Sequence, residues 1–153
     1  EILRSVGEHL KLSNCVLIKE TSRGDLADII CEYAASEKDS VIESMQNIPK
    51  AELPFFDGRE HIISANSMKT EEFRVFFEKM KLKAVVCFPM MQDNKIQMYL
   101  CFWERKNERI WSVEEEKFLN DVNFLDNILL LDSFEDNKKS ILIIIPHLSK
   151  NFN

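Results

Sequence analysis

The sequence predicts an α+β domain in α/β/α layers. A central antiparallel sheet carries the terminal helices on one face and a middle helix with loops on the other. Three observations lead there. The first is the order of periodicities along the chain: helix, two strands, connection, strand, helix, two strands, helix. The second is residues 87–104, CFPMMQDNKIQMYLCFWE, which are laid out as a β-hairpin but are apolar on both faces. The third is a last helix with two apolar stripes, which needs more than one surface to cover it.

Each element follows from local pattern. Residues 1–12, EILRSVGEHLKL, place Leu3, Val6 and Leu10 at helical spacing. CVLIKE (15–20), TSRGD (21–25) and LADIICEYA (26–34) read as strand, turn and partner strand. SEKDSVIESMQ (36–46) suits a short helix, and NIPKAELPFFDGRE (47–60), broken by Pro49, Pro54 and Gly58, an irregular connection. HIISAN (61–66) is a short strand. In KTEEFRVFFEKMK (69–81), Thr70 is placed to cap, Glu71 and Glu72 suit the positive end of the helix dipole, and Lys79 and Lys81 suit the negative end. Phe73, Phe76, Phe77 and Met80 then share one face. The hairpin follows with its turn at QDNK (92–95), and a charged loop leads to WSVEEEKFLNDVNFLDNILLL. There Ser112 and Glu115 have capping-box spacing. Phe118, Val122, Leu125 and Leu129 make one stripe, and Phe124, Ile128 and Leu131 the other.

Within the 87–104 hairpin, Val85, Cys87 and Pro89 point one way and Val86, Phe88 and Met90 the other. Met98, Leu100 and Phe102 likewise oppose Tyr99, Cys101 and Trp103. A ribbon with one wet face alternates apolar with polar, so both faces here require cover. The terminal helices supply it on one side. Phe73, Phe77 and the pair Phe55-Phe56 supply it on the other, as plain core or as the wall of a pocket.

Composition narrows the function. A net charge of −6 disfavours a nucleic-acid partner, which calls for clustered Lys and Arg. No run of about eighteen apolar residues exists to span a bilayer. No secretory leader precedes Glu1, so a cytoplasmic location is expected, and the missing initiator Met suggests a fragment. Cys15, Cys31, Cys87 and Cys101 lack C-x-x-C spacing and read as buried, reduced thiols. His9, His61 and His147 lie far apart and read as surface or helix-end residues, so neither a metal site nor a catalytic constellation is expected.

The motifs resemble those of a GAF domain, the small-molecule sensor and dimerisation module of signalling proteins, whose sheet is of the GAF/PAS type. VGEHLKLSNCVLIKE resembles the first helix and strand of a bacterial subgroup, CEY (31–33) the aromatic second strand, and MQNIP (45–49) the connection. MKLKAVVCFPMMQDNKIQMYLCFWERKNERIWSVEEEKFL resembles the closing half, with Phe88-Pro89-Met90 in the vPi-type strand and Arg109 and Trp111 in the R-x-W segment. The likeness runs from about residue 2 to 131. Met98 and Cys101 stand where many relatives have glycines, and the N-K-x-F-D-E pattern of cyclic-nucleotide binders is absent. Residues 1–134 are thus expected to form the sensory domain, and 135–153, with the apolar run Ile141 to Ile145, a linker or the start of a following domain.

The resemblance implies a non-enzymatic sensor of a larger cytoplasmic signalling protein, ahead of a GGDEF diguanylate cyclase or a histidine kinase. Expected pocket residues are Tyr33, Phe56, Arg59, Phe73, Phe77, Phe88, Met90, Tyr99, Cys101 and Trp103. No cofactor is expected, although an unidentified small-molecule effector is allowed. A homodimer through Leu3, Val6, Leu10, Phe124, Ile128 and Leu131 follows from the two-striped helix. The alternatives are a degenerate domain that only dimerises and a thiol-dependent reductase in which Cys31, Cys87 and Cys101 approach one another.

Overall fold

The computed structural model describes residues 1–92 and 95–131. The turn residues 93–94, the tail 132–153 and the side chains of residues 91, 92, 96, 97 and 125–131, among them Leu125, Ile128, Leu129 and Leu131, lie outside what is described.

Among the described residues three α-helices form, two of them starting where the capping signals place them. Helix α1 (Ile2–Leu10) ends at Lys11, whose left-handed φ of 54° turns its N–H back onto the Glu8 and Gly7 carbonyls. Helix α2 (Glu71–Met80) starts at Thr70, whose Oγ1 accepts from the Phe73 N–H at 3.4 Å, and buries Phe73, Phe76, Phe77 and Met80. The capping box of α3 (Val113–Leu131) closes in both directions: the Glu115 N–H donates to Ser112 Oγ at 3.0 Å, and the Ser112 N–H donates to Glu115 Oε1 at 3.1 Å.

Strands β1 (Asn14–Glu20), β2 (Leu26–Ala34), β3 (Ile48–Pro49), β4 (His61–Ile63), β5 (Ala84–Gln92) and β6 (Lys95–Glu104) form one antiparallel sheet in the order β3-β2-β1-β6-β5-β4. The central β5–β6 hairpin pairs Val86 with Phe102, Cys87 with Cys101 and Phe88 with Leu100. Both of its faces are covered. Val86, Phe88, Met90, Met98, Leu100 and Phe102 are buried against α1 and α3, while Val85, Cys87, Tyr99, Cys101 and Trp103 are buried against α2 and the 41–56 connection.

The connection departs from the sequence reading. Residues 36–46 form a short 3₁₀ turn (Glu37–Asp39) and a bend instead of a helix. The Glu32 carboxylate accepts from the Val41 N–H at 2.8 Å and from Ser40 Oγ at 2.6 Å, and Gln46 Nε2 donates to the Ile29 carbonyl at 2.9 Å. Bonds to β2 therefore replace the intrahelical ones, which a segment this short forms only weakly. Ile48–Pro49 adds a short edge strand, where a proline without an N–H is tolerated.

One polar knot ties the helix layer to the sheet. Glu104 is buried, accepts from Ser13 Oγ at 3.1 Å and lies 3.9 Å from Arg109 Nη1. The same guanidinium donates to the Leu10 carbonyl at 2.9 Å, pairs with Glu115 and lies 4.6 Å from the centre of the Trp111 ring. Arg109→Ala strands a buried carboxylate, so it is expected to cost about 3 kcal/mol in chemical denaturation. Adding Glu104→Gln is expected to recover part of that loss, which a double-mutant cycle measures.

Candidate functional site

The α2 face of the sheet holds the densest cluster of functional groups. Phe55 is fully buried, with its ring edge-on to Phe76 at 5.5 Å and to Tyr99 at 5.4 Å. Phe56 lies 4.8 Å from Tyr99, Phe76 lies 6.1 Å from Trp103, and Phe73 lies 6.5 Å from Phe77. These separations suit edge-to-face pairs.

The polar members come from the loop ahead of β4. Gly58 adopts φ 85°, which a residue with a Cβ disfavours, and its N–H donates to Tyr99 Oη at 2.7 Å. Tyr99 Oη donates in turn to the Arg59 carbonyl at 3.2 Å. Burial pushes the Tyr99 hydroxyl up to about 12, although the Gly58 bond pulls the other way. Asp57 Oδ1 meets His61 Nε2 at 2.8 Å, and the His61 ring packs 5.0 Å from Phe73. Burial raises the Asp57 carboxyl, but the bond to His61, helped by the Arg59 N–H, outweighs it, and the net shift is downward.

Two further groups lie deeper. Cys87 and Cys101 are wholly buried partners across β5 and β6, and burial, then the bond to Cys87, raises the Cys101 thiol far above its ordinary range. Such a thiol is a poor nucleophile. Trp103 is also wholly buried, and its Nε1–H has no acceptor among the described residues.

The expected pocket residues divide between the two faces. Phe56, Phe73, Phe77, Tyr99, Cys101 and Trp103 share the α2 face, and Arg59 joins them through its backbone while its side chain is exposed. Phe88 and Met90 instead face α1 and α3, because their strand parity opposes that of Cys87. Tyr33 also packs on that face, so close to Gly7 that a Cβ there would fall 2.1 Å from its ring. Cys31 pairs with Leu17 and is exposed, so it is neither a buried thiol nor a neighbour of Cys87 and Cys101.

Sequence reasoning missed Asp57 and His61 as a pair. Their spacing of four carries meaning only on a helix, and here a loop creates it. It noticed Phe55 as core cover without seeing that this ring is the centre of the cluster.

No family model and no curated protein matches the chain. Solved structures do. GAF3 from Slr1393 of Synechocystis sp. PCC6803, in its photoproduct state, superposes with a TM-score of 0.67 at 10% identity, over 92% of this chain and 94% of that one. The chain has the GAF fold. A domain of a two-component sensor histidine kinase protein from Sinorhizobium meliloti 1021 aligns with a TM-score of 0.61 at 8% identity, over 85% of this chain and 86% of that one. A far-red-absorbing domain with bound biliverdin IXa aligns with a TM-score of 0.64 at 15% identity, over 82% of each.

These neighbours correct the expectation of no cofactor, since the same GAF fold holds a chromophore in one of them. The side chains present here do not fit a tetrapyrrole as they are arranged. Phe55, Phe56, Phe76 and Tyr99 occupy the space between α2 and the sheet, Cys15, Cys87 and Cys101 are buried, and the exposed Cys31 pairs with Leu17, which packs on the other face. No helix among the described residues is long and apolar enough to cross a membrane.

Two outcomes follow for the loop. Tyr99→Phe removes an acceptor and a donor together, and is expected to lower stability by about 1–3 kcal/mol in urea denaturation. The Asp57 pair contributes stability above the ordinary aspartate value of 3.8, and loses it as pH falls through the lowered folded value. Asp57→Asn is therefore expected to flatten the acid limb of a stability profile below about pH 4 while leaving its neutral-pH shape unchanged.

Proposed function

We propose that this chain is a non-enzymatic sensory GAF domain of a larger signalling protein, and that it binds a small flat organic molecule carrying a hydrogen-bond acceptor between α2 and the sheet. The Trp103 N–H is the observation that supports this reading. A buried donor with no acceptor costs about 1–3 kcal/mol, and protein interiors seldom leave one so. A ligand that displaced Phe55 or Phe56 would meet aromatic walls, the Tyr99 hydroxyl and this one unmet donor, the mix of apolar lining and few polar groups that small-molecule sites use.

The relay runs through β6. Tyr99, Cys101 and Trp103 face the ligand side, while Leu100 and Phe102 on the same strand pack against α1 and α3. A close-packed strand that shifts on one face carries the shift to the other. The terminal helices then pass it to a paired copy. Val113 and Phe124 lie on one side of α3 and are 77% and 64% exposed, and a paired copy would cover them. The proposed output partner is a GGDEF diguanylate cyclase in the cytoplasm, with a histidine kinase as the alternative that the Sinorhizobium neighbour's parent favours.

A thermal-shift screen of heteroaromatic metabolites tests the site, because a ligand that binds only the folded state raises its melting temperature. A hit is expected to bind Trp103→Phe about tenfold more weakly. The reading is overturned if every hit binds that variant equally well or if no compound shifts the melt. Phe124→Glu is expected to give a folded monomer in light scattering, and a monomeric unmodified chain at high micromolar concentration sinks the dimer relay.

A further inference from the structure

An open groove of about 660 Å³ lies beside the C-terminal end of α2 and shares only Phe77 with the aromatic cluster. Lys69, Arg74, Lys81, Lys83 and Arg105 line it against the one carboxylate of Glu78. That is a local excess of positive charge on a chain of net charge −6. Its floor is Phe77 and Leu82, each only 6% exposed, and five of the six charged side chains around that floor are cations.

The helix dipole explains part of this cluster, since cations suit a helix C-terminus, where Lys81 and Arg105 sit. It does not explain Lys69, which precedes α2, or Arg74 in its first half. The way the cations are held is more telling. Arg105 Nε donates to the Met80 carbonyl at 3.1 Å and Nη1 to the Asp39 carbonyl at 2.9 Å. Lys69 Nζ donates to the Ser67 carbonyl at 3.4 Å and lies 4.9 Å from the centre of the Phe77 ring. Neutral groups therefore position both charges without cancelling them. Lys81 has no ion-pair partner among the described residues. Arg74 and Lys83 reach Glu71 and Glu108 only at 3.7 Å, through exposed pairs that contribute little.

We propose that this groove is a second binding site, for a multiply charged phosphate-bearing small molecule. Clefts lined by one sign of charge concentrate the opposite ion, and the volume falls within the range of small-molecule sites. Fixed Arg105 and Lys69 would take the first phosphate contacts without ordering costs, and the free Lys81 and the exposed Lys83 and Arg74 would close over the rest. The site does not use Trp103, so it stands or falls apart from the aromatic one.

Calorimetric titration of the 153-residue chain with tripolyphosphate, and separately with ATP, tests this. Saturable binding that weakens with added salt is expected. The double change Lys81→Asn and Lys83→Gln is expected to weaken it about tenfold, with asparagine tolerated at the left-handed position of Lys81. The matched change Lys11→Asn and Lys38→Gln removes the same charge elsewhere, at an equivalent left-handed lysine, and is expected to leave binding intact. Lys81→Asn alone serves if the double variant melts early. Equal affinity for both ligands assigns the site to phosphate groups, and tighter ATP binding assigns it to nucleotides; each supports the groove. The absence of saturable binding at millimolar ligand, or equal weakening in the two double variants, overturns it.

Discussion

Everything in this fold depends on a hairpin with no wet side. Between residues 84 and 104, β5 and β6 present apolar side chains on both faces, and each face must be removed from water by a separate layer. Burying one such side chain contributes about 1.5–3 kcal/mol, so leaving either face open would forfeit most of the domain's marginal stability. The α/β/α layering is the solution to that constraint. It also puts the hairpin, like β1 beside it, in contact with both layers.

The two layers do different work. On the terminal-helix side, the buried Glu104 and the Arg109 guanidinium hold α1, the end of β6 and the start of α3 in fixed relation. A charge pair this little exposed tolerates no partial loosening, because removing one partner leaves the other desolvated. On the α2 side, cover comes from rings contributed by a loop, Phe55 and Phe56, and the loop is held by Tyr99 reaching up from the sheet. Loop-borne cover opens at lower cost than helix-borne cover, since fewer buried contacts accompany it. That asymmetry makes the α2 side the easier of the two layers to open.

A neighbour that holds biliverdin shares the fold, while here aromatic rings pack into the space between α2 and the sheet. A smaller ligand needs only one or two rings to move. Fold and ligand are thus separate matters, since the architecture persists at 8–15% identity.

The sequence by itself determined the helices, the hairpins, the layering and the caps at Thr70, Ser112 and Glu115. Those signals are local: periods of 2 and 3.6, and side chains that bond backbone within one turn. It also assigned the strand parity of the central hairpin, and applied strictly that parity would have removed Phe88 and Met90 from the pocket list. Tertiary structure alone decided the rest. Residues 36–46 lost their helix to bonds with β2, Asp57 met His61 through a loop, Cys31 stayed exposed away from Cys87 and Cys101, and Trp103 was left without an acceptor among the described residues. The basic groove likewise gathers cations from the approach to α2, from α2 itself and from the ends of β5 and β6. None of these follows from neighbouring residues, because each depends on which distant segments pack together, and that choice is made by the whole core at once.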